Sequence, residues 1–178
     1  MMKLLKKPLV AWIVCIALVL VATLVNTNVK FGRLCASVTG EFYGTDGIAQ
    51  QLSELRADAE ALANVSEGHG VDVKELRSAS YYLQLGIQNQ YGAAELYQDY
   101  DLLRTELTAV QQKLVGISMS AADQQTVSDC LASITEAQRA IAASDYDEQV
   151  RDFLRRYDRF PTRLLARLAG VELPEAFG

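Results

Sequence analysis

The chain has 178 residues, a length that fits one membrane segment plus one modest domain, because single domains usually run about 100–150 residues. The formal net charge is −5, and residues 41–150 hold six basic and eighteen acidic side chains. An acidic body without a basic stripe argues against nucleic acid as a partner. Only three prolines interrupt a sequence rich in Ala, Leu, Gln and Glu, which favours an all-α fold.

The first element is a long apolar run near the N-terminus. Residues 9–25, LVAWIVCIALVLVATLV, contain Thr23 as their only polar member, and a helix across a bilayer core needs about 17–25 such residues. Lys3, Lys6 and Lys7 precede the run and predict a cytoplasmic N-terminus, with the rest of the chain outside the cytoplasm. We expect an uncleaved anchor in the lipid bilayer rather than a signal peptide, because the apolar core of a signal peptide is usually about 7–15 residues long. The following NTNVKFGRL also lacks a small-x-small cleavage site.

The chain after the anchor predicts a connector and an extracytoplasmic bundle. The expected parts are a cytoplasmic tip and transmembrane anchor at 1–27, a juxtamembrane connector at 28–45, a helical bundle at 46–170 and a tail at 171–178. Cys35 and Cys130 are the two cysteines outside the apolar run, and two such distant cysteines do not define a disulfide framework. We expect both thiols to be unpaired.

Apolar spacing predicts the first bundle helix at about residues 46–66. Spacings of 4, 3, 4 and 3 join Ile48, Leu52, Leu55, Ala59 and Leu62. Thr45 and Asp46 are candidate N-caps, and the two glycines of SEGHGVD end the helix in a loop.

Two further apolar seams follow, and their phases disagree. One begins near Asp72 and the other is a regular heptad-like seam. Their members are Val73, Leu76, Leu83 and Ile87, and then Leu96, Tyr100, Leu103, Leu107, Val110, Leu114 and Ile117. The mismatch predicts an interruption between residues 88 and 93, with Gly92 as the candidate turn or kink. A kink would give three long helices in an antiparallel bundle, and a turn would give four.

The last long helix has an explicit start and a predicted stop. Ser120 and Asp123 have the spacing of an N-cap and an acidic third position. The expected seam residues are Val127, Leu131, Ile134 and Ile141, and then Tyr146, Val150, Phe153, Tyr157 and Phe160. The change of phase predicts a local stagger at residues 143–145 rather than a full break. Pro161 should end the helix near Phe160, because proline disfavours helix at the preceding residue.

A short amphipathic helix follows the proline and has two interpretations. Leu164, Leu165 and Leu168 line one side, Arg163 and Arg167 the other, and Gly170 ends it. The leucines either cap the open end of the bundle, with the arginines solvated, or the segment lies on an anionic membrane surface or grips a partner. The cap is the simpler interpretation.

The C-terminal region resembles the LemA family. The stretch SDYDEQVRDFLRRYDRFPTRLLARLAG, residues 144–170, is similar to the family's C-terminal signature, and LRADAEAL at 55–62 is similar to a segment of its first long extracytoplasmic helix. The chain differs from the family pattern in having Tyr146-Asp147 in place of Tyr-Asn, as a divergent member would. The resemblance implies a membrane-anchored antiparallel helical bundle and brings no established catalytic activity. Its interaction candidates here are Tyr146, Val150, Phe153, Phe160, Pro161, Arg163, Leu164, Leu165 and Arg167.

The chemistry-bearing residues favour an interaction module over an enzyme. His69 is the only histidine, so a recognisable His-based triad is lacking, and we expect no catalytic residue, metal or cofactor. Glu67, His69 and Asp72 are close enough for a metal site, but residues of this kind in a surface turn are usually only solvated. The tyrosines between residues 81 and 100 are expected at the core edge or at an interface. A small-ligand sensor and a hydrolase of unrecognised type are the alternatives, and the expected partner is another protein.

Overall fold

The computed structural model of the chain describes residues 8–157, 164, 167–168, 170 and 173–178. Within these residues the secondary structure is entirely helical, which confirms the all-α prediction. The helices are α1 (Pro8–Tyr43), α2 (Ile48–Gly68), α3 (Lys74–Gln88), α4 (Ala93–Leu114), α5 (Ala121–Ala142) and α6 (Tyr146–Tyr157).

The first helix is a single rod of 36 residues. The segment 28–43 continues the helix that begins in the apolar run, so most of the predicted connector is helical and belongs to α1. Across the described part of the chain, no helix meets the combined length and apolarity needed to cross a membrane. The C-terminal part of α1 packs against α2 and α6, where Phe31, Cys35 and Phe42 are buried.

The predicted apolar seams form the core of the bundle. The most extensive helix contacts are those of α2 with α5, α3 with α4, and α2 with α3. All five predicted seam residues of α2 are buried, and Leu52, Leu55 and Leu62 are fully so. The seam of α4 is also buried from Leu96 to Leu114, which confirms the heptad-like spacing.

The interruption predicted between residues 88 and 93 is a turn that separates α3 from α4. Gln90 has a φ of 53°, and the Tyr91 amide donates to the carbonyl of Gly86 at 3.0 Å. Gly92 occupies the N-cap position of α4. The stretch 74–114 is therefore an antiparallel helical pair, and the bundle helices α2–α5 number four.

The predicted caps of α2 were wrong, whereas that of α5 is confirmed. The N-cap of α2 is Gly47, which has no side chain to accept a capping hydrogen bond. Asp46 precedes it in a turn, with a φ of 65°. Ser120 caps α5 as predicted, its hydroxyl oxygen accepting from the Asp123 amide at 3.1 Å.

The expected stagger at residues 143–145 was also wrong, since the chain breaks there into two helices. The Ser144 amide donates to the carbonyl of Ile141 at 3.2 Å, and the Asp145 carbonyl accepts from Gln149 to open α6. These local bonds end α5 and start α6 within three residues.

The new helix α6 runs antiparallel to α1. Its first residue, Tyr146, meets Phe42 near the end of α1 with ring centroids 5.0 Å apart. Its last residue, Tyr157, meets Phe31 at 5.4 Å. The end of α6 therefore lies six residues beyond the apolar run of α1, as counted along α1.

Candidate interaction surface

The structure brings together three of the sequence-predicted interaction residues on one face of α6. Tyr146, Val150 and Phe153 are buried. Phe153 packs with Phe31 and Cys35 of α1 in a small cluster, on the side of the bundle nearest the apolar run of α1. The first half of the predicted signature therefore serves to pack α6 against α1, which leaves less of it available to a partner.

The remaining predicted residues divide into two groups. Phe160, Pro161, Arg163 and Leu165 lie outside the described residues. Leu164 and Arg167 are helical and exposed, and the neighbouring Leu168 is 66% exposed. Leu164 is 50% exposed, so neither of these two leucines is buried in the bundle core.

Residues missed by the sequence reasoning form a binding site for the chain's own tail. We call Phe42, Tyr97, Tyr100, Tyr146 and Asp147, taken from α1, α4 and α6, the tail site. It holds the end of the tail, residues 173–178, and the Phe177 ring is 5% exposed within it. Leu173, the first of these residues, packs instead with Phe31, Cys35 and Phe153. The ring centroid of Phe177 lies 5.6 Å from that of Phe42, 5.3 Å from that of Tyr97 and 5.8 Å from that of Tyr100. Aromatic pairs at such separations stabilise a contact beyond the area they bury.

Backbone hydrogen bonds fix the tail in its site. The Asp147 carboxylate accepts from the amides of Phe177 and Gly178, at 2.7 and 3.2 Å. The Tyr146 hydroxyl donates to the carbonyl of Glu175 at 3.0 Å. Burial raises the pKa of Tyr146 from its ordinary value of 10.0 to about 12, so its hydroxyl remains a donor at a pH where an exposed tyrosine has ionised. The signal in the sequence was the aromatic Phe177 in an otherwise short tail.

A second tyrosine ties α1 to the turn between α3 and α4. The Tyr43 hydroxyl donates to the carbonyl of Tyr91 at 2.6 Å, and burial raises the pKa of Tyr43 to about 12. Of the predicted tyrosine band, Tyr100 is buried, whereas Tyr81 and Tyr82 are exposed. Only part of the band therefore lies at the core edge, and Tyr81 and Tyr82 remain open for contact.

The candidate metal residues are used in other contacts. His69 Nε2 lies 3.1 Å from Asp123 Oδ2, and Glu67 binds the guanidinium of Arg77 at 2.8 Å. Among the described residues, no group of three His, Cys, Asp or Glu side chains is placed to share a metal ion. The turn after α2 thus ties α2 to α3 and α5.

A groove of about 690 Å³ lies between α4 and α5. Its lining includes Arg104, Thr105, Thr108, Thr135 and Gln138. Arg104 pairs with Asp101 on its own helix at 2.7 Å. Leu107 and Ile134 also line it, so polar side chains at the surface overlie apolar side chains of the two seams.

Comparison with known proteins does not extend this description. No protein-family model, no curated protein and no solved structure gives a significant match to the chain.

Proposed function

We propose that the chain is a single-pass membrane protein of the LemA type, whose helical bundle outside the cytoplasm serves as an interaction or assembly module. The proposal assigns it no catalytic activity and no cofactor. The observation that supports it most directly is the exposed apolar surface along the first part of α1.

That surface consists of large side chains that would cost free energy in water. Trp12 is 70% exposed, Leu18 63% and Val25 59%. Exposed apolar patches of this kind mark surfaces that meet protein or lipid, and seventeen residues is the lower end of the about 17–25 that a helix across a bilayer core needs. Lipid is the proposed environment of residues 9–25.

The path of α6 supports a membrane-facing role for the segment after it. Tyr157 lies beside Phe31, close along α1 to the end of the apolar run. Leu164, Arg167 and Leu168 follow and are exposed. Leucine and arginine together suit an interface between lipid headgroups and water, or a protein at that level.

The anchor is tested by charge substitution in a matched pair of variants. Leu18→Arg with Val21→Arg should reduce the fraction of the chain that resists alkaline extraction from membranes, because an arginine at the centre of a bilayer helix costs about 2.5–3.5 kcal/mol. Leu102→Arg with Val115→Arg changes exposed residues of the bundle and should leave that fraction unchanged. Equal behaviour of the two variants would reject the anchor.

The interaction role is tested by crosslinked pull-down from native membranes. The intact chain is compared with a chain truncated before Phe160. We expect specific partners of the intact chain to be lost on truncation. If the truncated chain retained every partner, residues 160–178 would have a structural role and would not bind partners.

A further inference from the structure

We propose that the tail site also binds residues 173–178 of a second copy, so that exchanged tails link neighbouring molecules. This inference rests on the proposed function as an interaction module and names its partner as a second copy of the chain.

The tail is bound in the manner of a peptide ligand. Residues 173–178 have no regular secondary structure, and their hydrogen bonds to the tail site involve backbone groups at Glu175, Phe177 and Gly178. One side chain, Phe177, fills the aromatic pocket. Pro174 is buried as well, and Leu173 packs with Phe31, Cys35 and Phe153. Backbone bonds plus a few buried side chains are what short-peptide sites use, and such contacts form equally with a segment from another chain.

Two glycines complete the fit, Gly178 in the tail and Gly92 at the N-cap of α4. A Cβ on Gly178 would lie 3.0 Å from the Tyr97 ring, and a Cβ on Gly92 would lie 3.1 Å from the Glu175 carboxylate. The site therefore favours a small residue directly after the phenylalanine. The tail of this chain has that pattern in EAFG.

The connection to the tail is longer than its own path requires. Fifteen residues, 158–172, join Tyr157 to the tail. Both ends of this connection lie beside Phe31, because the Tyr157 ring centroid is 5.4 Å from that of Phe31 and Leu173 packs with Phe31, Cys35 and Phe153. This slack lets the tail reach a neighbour, and exchange of an identical element is a low-cost route to oligomers.

Competition with the chain's own tail sets when exchange occurs. A tethered tail has a high effective concentration at its own site, so dilute molecules keep it there. When molecules are confined to one membrane in the same orientation, the local concentration of neighbouring tails around each tail site rises. Exchange should therefore depend on how densely the chains are placed.

A pair of complementary full-length variants tests the exchange in membranes. One tagged copy lacks residues 173–178 and has an open tail site; the other carries Asp147→Ala and has a released tail. We expect the first to capture the second, and a further Phe177→Ala in the second to reduce capture at least about tenfold, as loss of a buried anchor would. Glu148→Ala in place of Asp147→Ala is the matched control, since Glu148 is an exposed acid in the same turn.

Two intact copies with different tags complete the test. They should co-purify from densely loaded vesicles, and Phe177→Ala in both should abolish this. Capture that is insensitive to Phe177→Ala, or association seen only between the variants, would overturn the inference, because the intact chain would then keep its tail to itself. Membrane retention and crosslinking to other proteins are scored in parallel, so loss of tail exchange alone leaves the proposed function standing.

Discussion

Gly86 of α3 lies directly against Leu96 of α4, so closely that a Cβ on Gly86 would sit 2.8 Å from the Leu96 Cδ2 atom. Leu96 is fully buried and cannot swing into solvent. Overpacking of this kind costs about 1–3 kcal/mol, and the gain in helix propensity on replacing glycine by alanine recovers about 1 kcal/mol. We therefore expect Gly86→Ala to lower the free energy of unfolding by up to about 2 kcal/mol. Chemical denaturation followed by circular dichroism measures the change.

Gly40 of α1 provides the control for this substitution. A Cβ at Gly40 meets nothing within 4 Å in the described structure. Gly40→Ala should be neutral or stabilising by up to about 1 kcal/mol, because alanine restricts the unfolded chain and favours helix. Equal effects at both glycines would contradict the close approach of α3 to α4.

Arg77 of α3 binds three side chains along one face of α2. Its guanidinium donates to Glu60 at 3.0 Å, Asn64 at 2.9 Å and Glu67 at 2.8 Å. We expect Arg77→Ala to cost on the order of 1 kcal/mol, because water screens these partly exposed pairs but the three bonds act as a network. Arg77→Lys should recover little of the loss, since an ammonium cannot reproduce the planar fork.

Arg104 is the matched control for Arg77. It pairs with Asp101 of its own helix, and both side chains are about half exposed. Arg104→Ala should change the unfolding free energy by less than about 0.5 kcal/mol. If Arg104→Ala lowered thermal stability more than Arg77→Ala, the hydrogen bonds of Arg77 between α2 and α3 would add no stability.

Two buried serines should respond differently to alanine. The Ser66 hydroxyl donates to the carbonyl of Leu62 at 2.7 Å, whereas the buried Ser80 hydroxyl has no hydrogen-bond partner among the described residues. Ser80→Ala should raise the unfolding free energy by up to about 1 kcal/mol, because it removes an unsatisfied polar group. Ser66→Ala should be near neutral, since it loses a bond and gains helix propensity. A thermal midpoint that falls with Ser80→Ala would show that the hydroxyl is satisfied.

The regular part of the fold was predictable because helix periodicity is a local signal. The seam from Leu96 to Leu114 has a single phase and is buried as expected. Its conflict with the seam ending at Ile87 located the turn near Gly92. The stagger at residues 143–145 was misjudged, because hydrogen bonds of Ser144 and Asp145 decide between a distorted helix and two helices.

The tail site was not predictable from local patterns. Phe42, Tyr97 and Phe177 are separated by much of the chain, and no periodicity relates them. Their meeting depends on α6 turning back along α1, which in turn depends on the break before Tyr146. An aromatic residue in a short tail indicates only that some pocket is available.

The N-terminus of α5 should show a defined dependence on acid. The Ser120 hydroxyl donates to the Asp123 carboxylate at 2.8 Å, and the His69 imidazole lies 3.1 Å from it; these hydrogen bonds lower the pKa of Asp123 from its ordinary value of 3.8. A lowered folded-state pKa means that the carboxylate stabilises the fold above pH 3.8. This contribution is lost as the pH falls through the lowered value.

Asp123→Ala isolates that contribution. We expect the variant to unfold at a lower temperature than the unchanged chain at pH 6, with the difference shrinking below pH 3.8 as Asp123 becomes protonated. Asp129→Ala, on the same helix with its carboxylate accepting from Gln125, serves as the control for loss of one acid. It should show a smaller difference at pH 6, because Asp129 lies outside the first turn and does not cap the helix. If the difference in unfolding temperature between Asp123→Ala and the unchanged chain stayed constant from pH 6 to below pH 3, the carboxylate charge would not stabilise the contact between α2 and α5.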